Sequence, residues 1–472
     1  MRVAKVVADK PLLPGRHYIM ALLNAFVRYR EEAGEPKSTD TTFLYWSEAN
    51  GGSVIEPVQS LKVHLLPRLE GRQPAKLVWQ LWGGWLSNLD DLTMREEILK
   101  TSRNVGFNDV ASGDRWTSET GARYGINDTL NINFEPWSLN VAPYLKDHPD
   151  ERLVTEKGEP SDKLMCMTTL LGDGWPAVEA RLQALIEDVR PHTMEYDFEY
   201  PPFTGPHSCY CPRCLAAFRE HAKLGADVRL DAQTIREQYA AQWIDFMAWR
   251  TAQLFARFKD SIHRLAPGTR FSVYSGYQTP RNPEEYGVDW RYVGEMQAID
   301  EAGCGYGRPA EAIAATVEAL RGIPLLCGAL VVPYDVTVLT PTTPLTKAWV
   351  LRCALDATGG VLVYDRLSLD GRSWYAVAEA SRVVSAYEDV FLKGTRSALP
   401  GLDSAQVQVV TDGRVTLVCA LNEGSKPVTY TLKLPENAGA GREFYSGRTV
   451  AADETVECVL EPGEAAVYVL GG

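Results

Sequence analysis

Glu195, Asp197 and Glu199 occupy alternate positions of Thr193-Met194-Glu195-Tyr196-Asp197-Phe198-Glu199-Tyr200. In an extended chain alternate side chains share a face, so this spacing lines three carboxyls along one side. Met194, Tyr196, Phe198 and Tyr200 take the other side. Acids gathered away from water raise one another's pKa by like-charge repulsion, and desolvation adds to it. A core selected only for stability would hold Val or Ile there. Two readings follow: a solvated edge strand with its acids in water, or an active-site floor on which one carboxyl keeps its proton as a general acid. Glu199, nearest the C-terminal end of the segment, is the expected acid and Asp197 its partner.

A second cluster follows at once. His207-Ser208-Cys209-Tyr210-Cys211-Pro212-Arg213-Cys214 sets three thiols at C-x-C-x-x-C spacing. Such thiolates at Cys209, Cys211 and Cys214 suit a structural Zn²⁺ if His207 or Cys166 closes the tetrahedron. The alternative is packed free thiols that shape the loop. The other cysteines are scattered and the total of nine is odd, which does not make a disulfide framework. Histidines without an HExxH pattern argue against a histidine-based metal centre, and the reaction expected of the carboxyls needs neither cofactor nor catalytic metal. No phosphate loop, dinucleotide fingerprint or nucleophile elbow is present, which excludes kinase, dehydrogenase and α/β-hydrolase chemistry.

The elements that must position these groups alternate between short apolar strands and amphipathic helices over residues 76–394. Eight strand-like segments stand out: 76–83, 106–112, 128–135, 193–200, 270–277, 296–303, 323–330 and 359–366. Eight strands interleaved with helices predict an α/β fold, a (β/α)8 TIM barrel, whose active sites lie at the C-terminal strand ends. Val178, Leu182, Leu185, Ile186 and Val189 make one helical stripe. Tyr239, Trp243, Phe246, Leu254, Phe258 and Ile262 make another, ended by Pro267-Gly268. Residues 395–472 change to paired strands around Asp412-Gly413, predicting a small C-terminal antiparallel β-sandwich-like domain. Residues 1–75 read as an N-terminal extension of uncertain structure, with a helix over Tyr18 to Glu32 and a strand at 43–48 that would shift the barrel count if it joined.

Glu195-Tyr196-Asp197-Phe198-Glu199-Tyr200-Pro201 resembles the DxDxEYP strand of chitinase-like family 18 glycoside hydrolases, with Glu195 in place of the first aspartate. Gly359-Gly360-Val361-Leu362-Val363-Tyr364 resembles that family's closing GGxxxW strand, Tyr364 replacing the tryptophan. The resemblance implies that Glu199 protonates a glycosidic oxygen and Asp197 orients a substrate acetamido group. The cysteine loop and the helix after it resemble family 42 β-galactosidases, where they also follow the acid glutamate, again at Glu199. That group has an Asn before the acid and a nucleophilic glutamate on strand seven; here Phe198 stands before it and IPLLCGALVVPYD has no glutamate.

These resemblances imply a glycosidase with an oligo- or polysaccharide substrate. The alternatives are a substrate-assisted N-acetylhexosaminidase and a non-catalytic carbohydrate-binding barrel. A second carboxylate is needed: Asp197 ranks first, then Glu301 and Asp300 on the sixth segment, then Asp365. Expected substrate contacts are Glu195, Glu135, Trp82, Trp137, Tyr274, Tyr306 and Asp365, the rings serving as stacking platforms. A net charge of −13 repels phosphate backbones and anionic lipid, so nucleic-acid and membrane partners are excluded. The N-terminus has no signal-peptide core. This fits a cytoplasmic protein or an exported one whose signal has been removed, and oligomeric state stays open.

Overall fold

The computed structural model describes residues 69–471 apart from 83–85, 112, 135–137, 204–207, 306–308, 330–333, 336–339, 342–344 and 365–370, together with four short strands between residues 40 and 64. Eight parallel strands close in chain order into a barrel: β1 (Val78–Trp82), β2 (Asp109–Ala111), β3 (Asn127–Ile132), β4 (Thr193–Asp197), β5 (Arg270–Gly276), β6 (Glu301–Gly305), β7 (Leu325–Ala329) and β8 (Gly360–Tyr364). Each overlaps one of the eight segments expected from the sequence, but β6 starts five residues later than its segment (296–303) and runs beyond it. Strand Asp40–Tyr45 pairs with Gln59–His64 instead of joining the barrel, so the count stays at eight. The helix expected over Tyr18 to Glu32 lies outside the described residues. Among the described residues no helix is long and apolar enough to cross a membrane.

Alternation decides which way each strand faces. On β4, Met194, Tyr196 and Phe198 are wholly buried on the helix side. They pack against the helices α1 (Trp175–Val189) and α3 (Ala240–Leu265), between which α2 (Pro212–His221) follows the cysteine loop. The Tyr196 ring lies 5.5 Å from Phe258 and the Phe198 ring 5.1 Å from Phe255. Burying each large side chain of this layer is worth roughly 1.5–3 kcal/mol, which fixes the register of β4 and with it the direction of its acids.

The barrel lumen has a polar lower layer and an aromatic upper one. In the lower layer Asp109 Oδ1 accepts from Gln80 Nε2 (3.0 Å) and Thr129 Oγ1 (2.8 Å), while Arg270 pairs with Glu301 at 3.1 Å. Trp82, Tyr274 and Tyr364 gather at the C-terminal end of the lumen, in an apolar cluster that also takes in Val78, Leu326 and Leu362.

The C-terminal strands form a six-stranded antiparallel sheet. One face (Leu417, Cys419, Val467, Val469) joins the barrel's core and the other (Val407, Val418, Leu470) packs on the antiparallel pair of Val428–Lys433 and Thr455–Leu460. The turn between its second and third strands is the expected one: Asp412 Oδ1 accepts from the Arg414 and Val415 N–H groups at 2.9 and 2.8 Å, and Gly413 takes φ 87°. Arg396 reaches back to the carbonyls of Leu355 (2.7 Å) and Phe391 (2.7 Å), clamping the sheet to helix α4 (Lys347–Asp356) and its neighbour.

Barrel closure between β8 and β1 depends on Gly360. Its φ is 149°, and a Cβ there would stand 1.9 Å from the Val78 carbonyl oxygen. Gly360→Ala is therefore expected to cost at least about 3 kcal/mol, combining backbone strain with a parting of the two strands. A fall in the urea midpoint at unchanged slope checks this; an unchanged midpoint contradicts it.

Candidate active site

The β4 ladder runs on past Asp197. Phe198 N–H donates to the Tyr274 carbonyl at 2.9 Å, and Asn133 Nδ2 donates to the Asp197 carbonyl at 3.2 Å. Phe198 still faces the helices, so Glu199, like Asp197, takes the opposite side, at the C-terminal mouth of the barrel. Both are half-buried. The Tyr200 hydroxyl donates to Asn133 Oδ1 at 3.3 Å, tying the end of β4 to the end of β3.

One step deeper lies Glu195, 1% exposed. Its Oε1 accepts from Trp82 Nε1 at 2.5 Å and its Oε2 from Ser272 Oγ at 3.0 Å. The Trp82 indole is stacked between Tyr274 (5.6 Å) and Tyr364 (4.8 Å), making an aromatic floor at the mouth. Burial pushes the Glu195 carboxyl up to about 8; its two donors pull the other way, and the charge of Asp197 adds to the rise. Glu195 is thus a neutral acid at pH 7, engaged with Trp82 and Ser272. That corrects its expected place among the substrate contacts.

Asp300 and Glu301 are corrected as well. Met296 ends a helix and Gln297 turns out of it at φ 49°, so Gln297 to Asp300 form the turn into β6 and the strand starts at Glu301. Both acids therefore sit at the N-terminal mouth. Asp300 faces α3, with Lys259 Nζ at 3.1 Å and His263 Nε2 at 2.7 Å, and accepts from Phe271 N–H at 2.8 Å. Burial raises its pKa, but these partners outweigh burial and hold it below the usual carboxylate value. Glu301 is pushed up to about 7 by burial against the pull of Arg270. It stands roughly 13 Å, four residue steps, below the far end of its own strand. Neither acid reaches the mouth where Glu199 lies.

Of the expected aromatic contacts, Trp82 and Tyr274 are in the floor. Glu135, Trp137, Tyr306, Asp365 and the metal candidate His207 lie outside the described residues. Tyr364 of the floor, Ser272 and the polar layer of Gln80, Asp109, Thr129 and Arg270 were not singled out as site residues. The alternation of β2 and β3 carried the signal for Asp109 and Thr129. Among the described residues, no carboxylate lies on β5 to β8 beyond Glu301; the inward residues of β7 are Leu326 and Gly328.

The cysteine loop meets a fourth thiol from far upstream. Cys166 ends a hairpin insertion (Arg152–Val154 with Pro160–Met165), and its Sγ lies 3.3 Å from both Cys211 and Cys214. The sulfurs of Cys166, Cys209, Cys211 and Cys214 all lie within 4.8 Å of one another and all four residues are buried. Val154 N–H donates to Cys209 Sγ at 3.3 Å, and Arg250 Nη1 lies 3.8 Å from Cys214 Sγ. Zn–S bonds of about 2.3 Å at tetrahedral angles need sulfurs close to 4 Å apart, so this donor set fits a four-thiolate ion. The cluster joins the hairpin insertion to the loop that follows Glu199.

No protein-family model matches the chain, and no curated protein does. Solved structures do. A catalytic mutant of Gan42B, a GH42 β-galactosidase from G. stearothermophilus, superposes with TM-score 0.56 at 11% identity, covering 85% of this chain and 99% of that one. The β-galactosidase from Bacillus circulans sp. alkalophilus gives TM-score 0.54 at 9% identity, covering 85% and 100%. The GH36 α-galactosidase AgaA from Geobacillus stearothermophilus, in complex with raffinose, gives TM-score 0.51 at 12% identity and covers 84% of this chain; the chain spans only 56% of AgaA. This chain has the barrel fold of those glycosidases. At such identities the likeness concerns the fold, and the chemistry must come from the residues described above.

The raised pKa of Glu195 carries a pH prediction. Its folded value of about 8 lies above the ordinary 4.5, so the folded state binds the proton more tightly. That stabilisation is complete below about pH 4.5 and is lost as pH rises through 8. Thermal melts should show the wild type losing stability between pH 5 and 9 more steeply than Glu195→Gln. Parallel profiles would contradict the assignment.

Proposed function

We propose that this protein is a glycoside hydrolase acting on an oligo- or polysaccharide, with Glu199 protonating the leaving glycosidic oxygen and Asp197 as the partner carboxylate. The observation that carries this reading is the pairing of two half-buried acids on the inward side of β4, at the C-terminal mouth of a closed barrel and beside an aromatic floor. Glycosidic cleavage needs one neutral and one ionised carboxyl around a cation-like transition state. Two carboxyls on one inward face are the arrangement in which like-charge repulsion favours one neutral and one ionised member. The half-buried Tyr364, backed by Trp82 and Tyr274, offers an apolar face to the C–H side of a sugar ring. In this reading residues 76–394 are the catalytic unit, and 395–472 a β domain that braces α4.

One observation favours a more specific variant. Asp197 lies next to Glu199 on the same face of β4, at a Cα separation of about 7 Å for an i, i+2 pair. A substrate-assisted N-acetylhexosaminidase works from such an arrangement, because the substrate's acetamido oxygen is the nucleophile and Asp197 only orients it. Cleavage of 2-acetamido substrates, with their 2-hydroxy counterparts untouched, separates this variant from a two-carboxylate enzyme.

Zinc in the four-thiolate cluster is the second part of the proposal. The ion would be structural, pinning the loop beyond Glu199 to the hairpin insertion, with no part in bond cleavage. Metal analysis should give one zinc per chain, and Cys166→Ser should lose it and lower the melting temperature; a metal-free wild type with free thiols contradicts the site.

Glu199→Gln tests the catalytic core of the proposal. Turnover across a glycan panel should fall by about 10²–10⁴-fold with sugar binding retained, the range general acid catalysis supplies. A wild type that binds glycans and cleaves none would make the chain a carbohydrate-binding barrel instead.

A further inference from the structure

The loop after β5 is built to hold one side chain against Glu199. Asp197 pairs with Tyr274 and Phe198 bonds to the Tyr274 carbonyl, so the neighbour of Glu199 on β5 is Gly276. Gly276 is bare because a ring lies across it. Two carbons of Tyr286 stand 2.5 and 2.6 Å from where its Cβ would be, and Asn282 Oδ1 stands 2.8 Å away. The ring of Tyr286 therefore occupies the space a side chain on Gly276 would take, directly beside Glu199.

The rest of the loop fixes that ring. Trp290 Nε1 donates to the Gly276 carbonyl at 2.8 Å, Trp290 N–H donates to Gln278 Oε1 at 2.9 Å, and Asn282 Nδ2 donates to the Val288 carbonyl at 2.7 Å. Asn282, Val288 and Trp290 are fully buried, while Tyr286 is half-buried. Gly287 follows Tyr286 at φ 74°, a turn that other residues rarely make. Burial, and next the negative charge of Glu199, hold the Tyr286 phenol above its ordinary pKa, so it carries its proton throughout the working range.

We propose that Tyr286 is a positioning residue for Glu199, its hydroxyl donating a hydrogen bond to the carboxylate left once Glu199 has passed its proton on. The inference rests on the reading of Glu199 as the acid. In the step itself the Glu199 O–H proton moves to the glycosidic oxygen as the bond from that oxygen to the sugar's anomeric carbon breaks. The Tyr286 O–H bond stays intact, and its dipole meets charge that appears only as the proton leaves.

Tyr286→Phe removes the hydroxyl and keeps the ring. Glu199 can be followed without a substrate by ¹³C NMR of its carboxyl, assigned by the signal that disappears in Glu199→Gln. Losing a donor to the ionised form disfavours that form, so Glu199 should titrate about half to one pH unit higher in Tyr286→Phe. The alkaline limb of kcat/KM should move up by the same amount with KM unchanged. Gly276→Ala, which displaces the ring, should give the same shift, and the double variant no further one. A Glu199 titration identical in wild type and Tyr286→Phe overturns this proposal even if Glu199→Gln is inactive. Full turnover in Glu199→Gln overturns the acid reading and this proposal with it.

Discussion

The expense of placing carboxyls in a dry barrel governs this structure. Asp109, Glu195 and Glu301 are fully buried in the lumen, and burial pushes them up to about 6, 8 and 7. Arg270 faces Glu301 and Asp109, and protonation and neutral hydrogen bonds offset most of the remaining desolvation. A lumen of branched aliphatic side chains would avoid the penalty altogether. The polar lower layer thus trades stability for an electrostatic gradient along β4: Glu195 neutral and enclosed, Asp197 and Glu199 half-open above it. The acids of β4 thus pass from enclosed to half-open along adjacent inward positions of one strand.

The aromatic floor separates the two regimes. Trp82 donates downward to Glu195 while its ring stacks between Tyr274 and Tyr364 at the mouth. One side chain therefore satisfies a buried acid and ties it to the aromatic floor. The helix side of β4 provides the rigidity this needs. Met194, Tyr196 and Phe198 are locked against Phe255 and Phe258, so the acids cannot rotate out of the lumen without breaking the packing of α3.

Much of this was legible in the sequence because its period is strong where the physics is strict. All eight barrel strands carry apolar helix-facing residues, and β4 shows its two faces residue by residue. The cysteine spacing announced three thiols and left the fourth ligand open between His207 and Cys166, because the hairpin that carries Cys166 to the cluster has exposed polar residues with no pattern. The register of β6 was misjudged by several residues because Ala298 and Ile299, buried at a helix-to-strand turn, extend the apolar run backwards; that error moved Asp300 and Glu301 to the wrong mouth. Tyr286 had no local signal at all. Its role follows from Gly276, and a bare glycine at a strand end shows its purpose only when the ring lying across it is seen.

Leaving-group dependence in Glu199→Ala tests the central claim most directly. A proton donor matters only when the departing oxygen is basic. The variant should lose turnover on alkyl or sugar leaving groups while keeping most of it on dinitrophenyl glycosides of the same sugar, whose leaving group needs no proton. Equal loss on both kinds of substrate would contradict the account and make Glu199 something other than the acid.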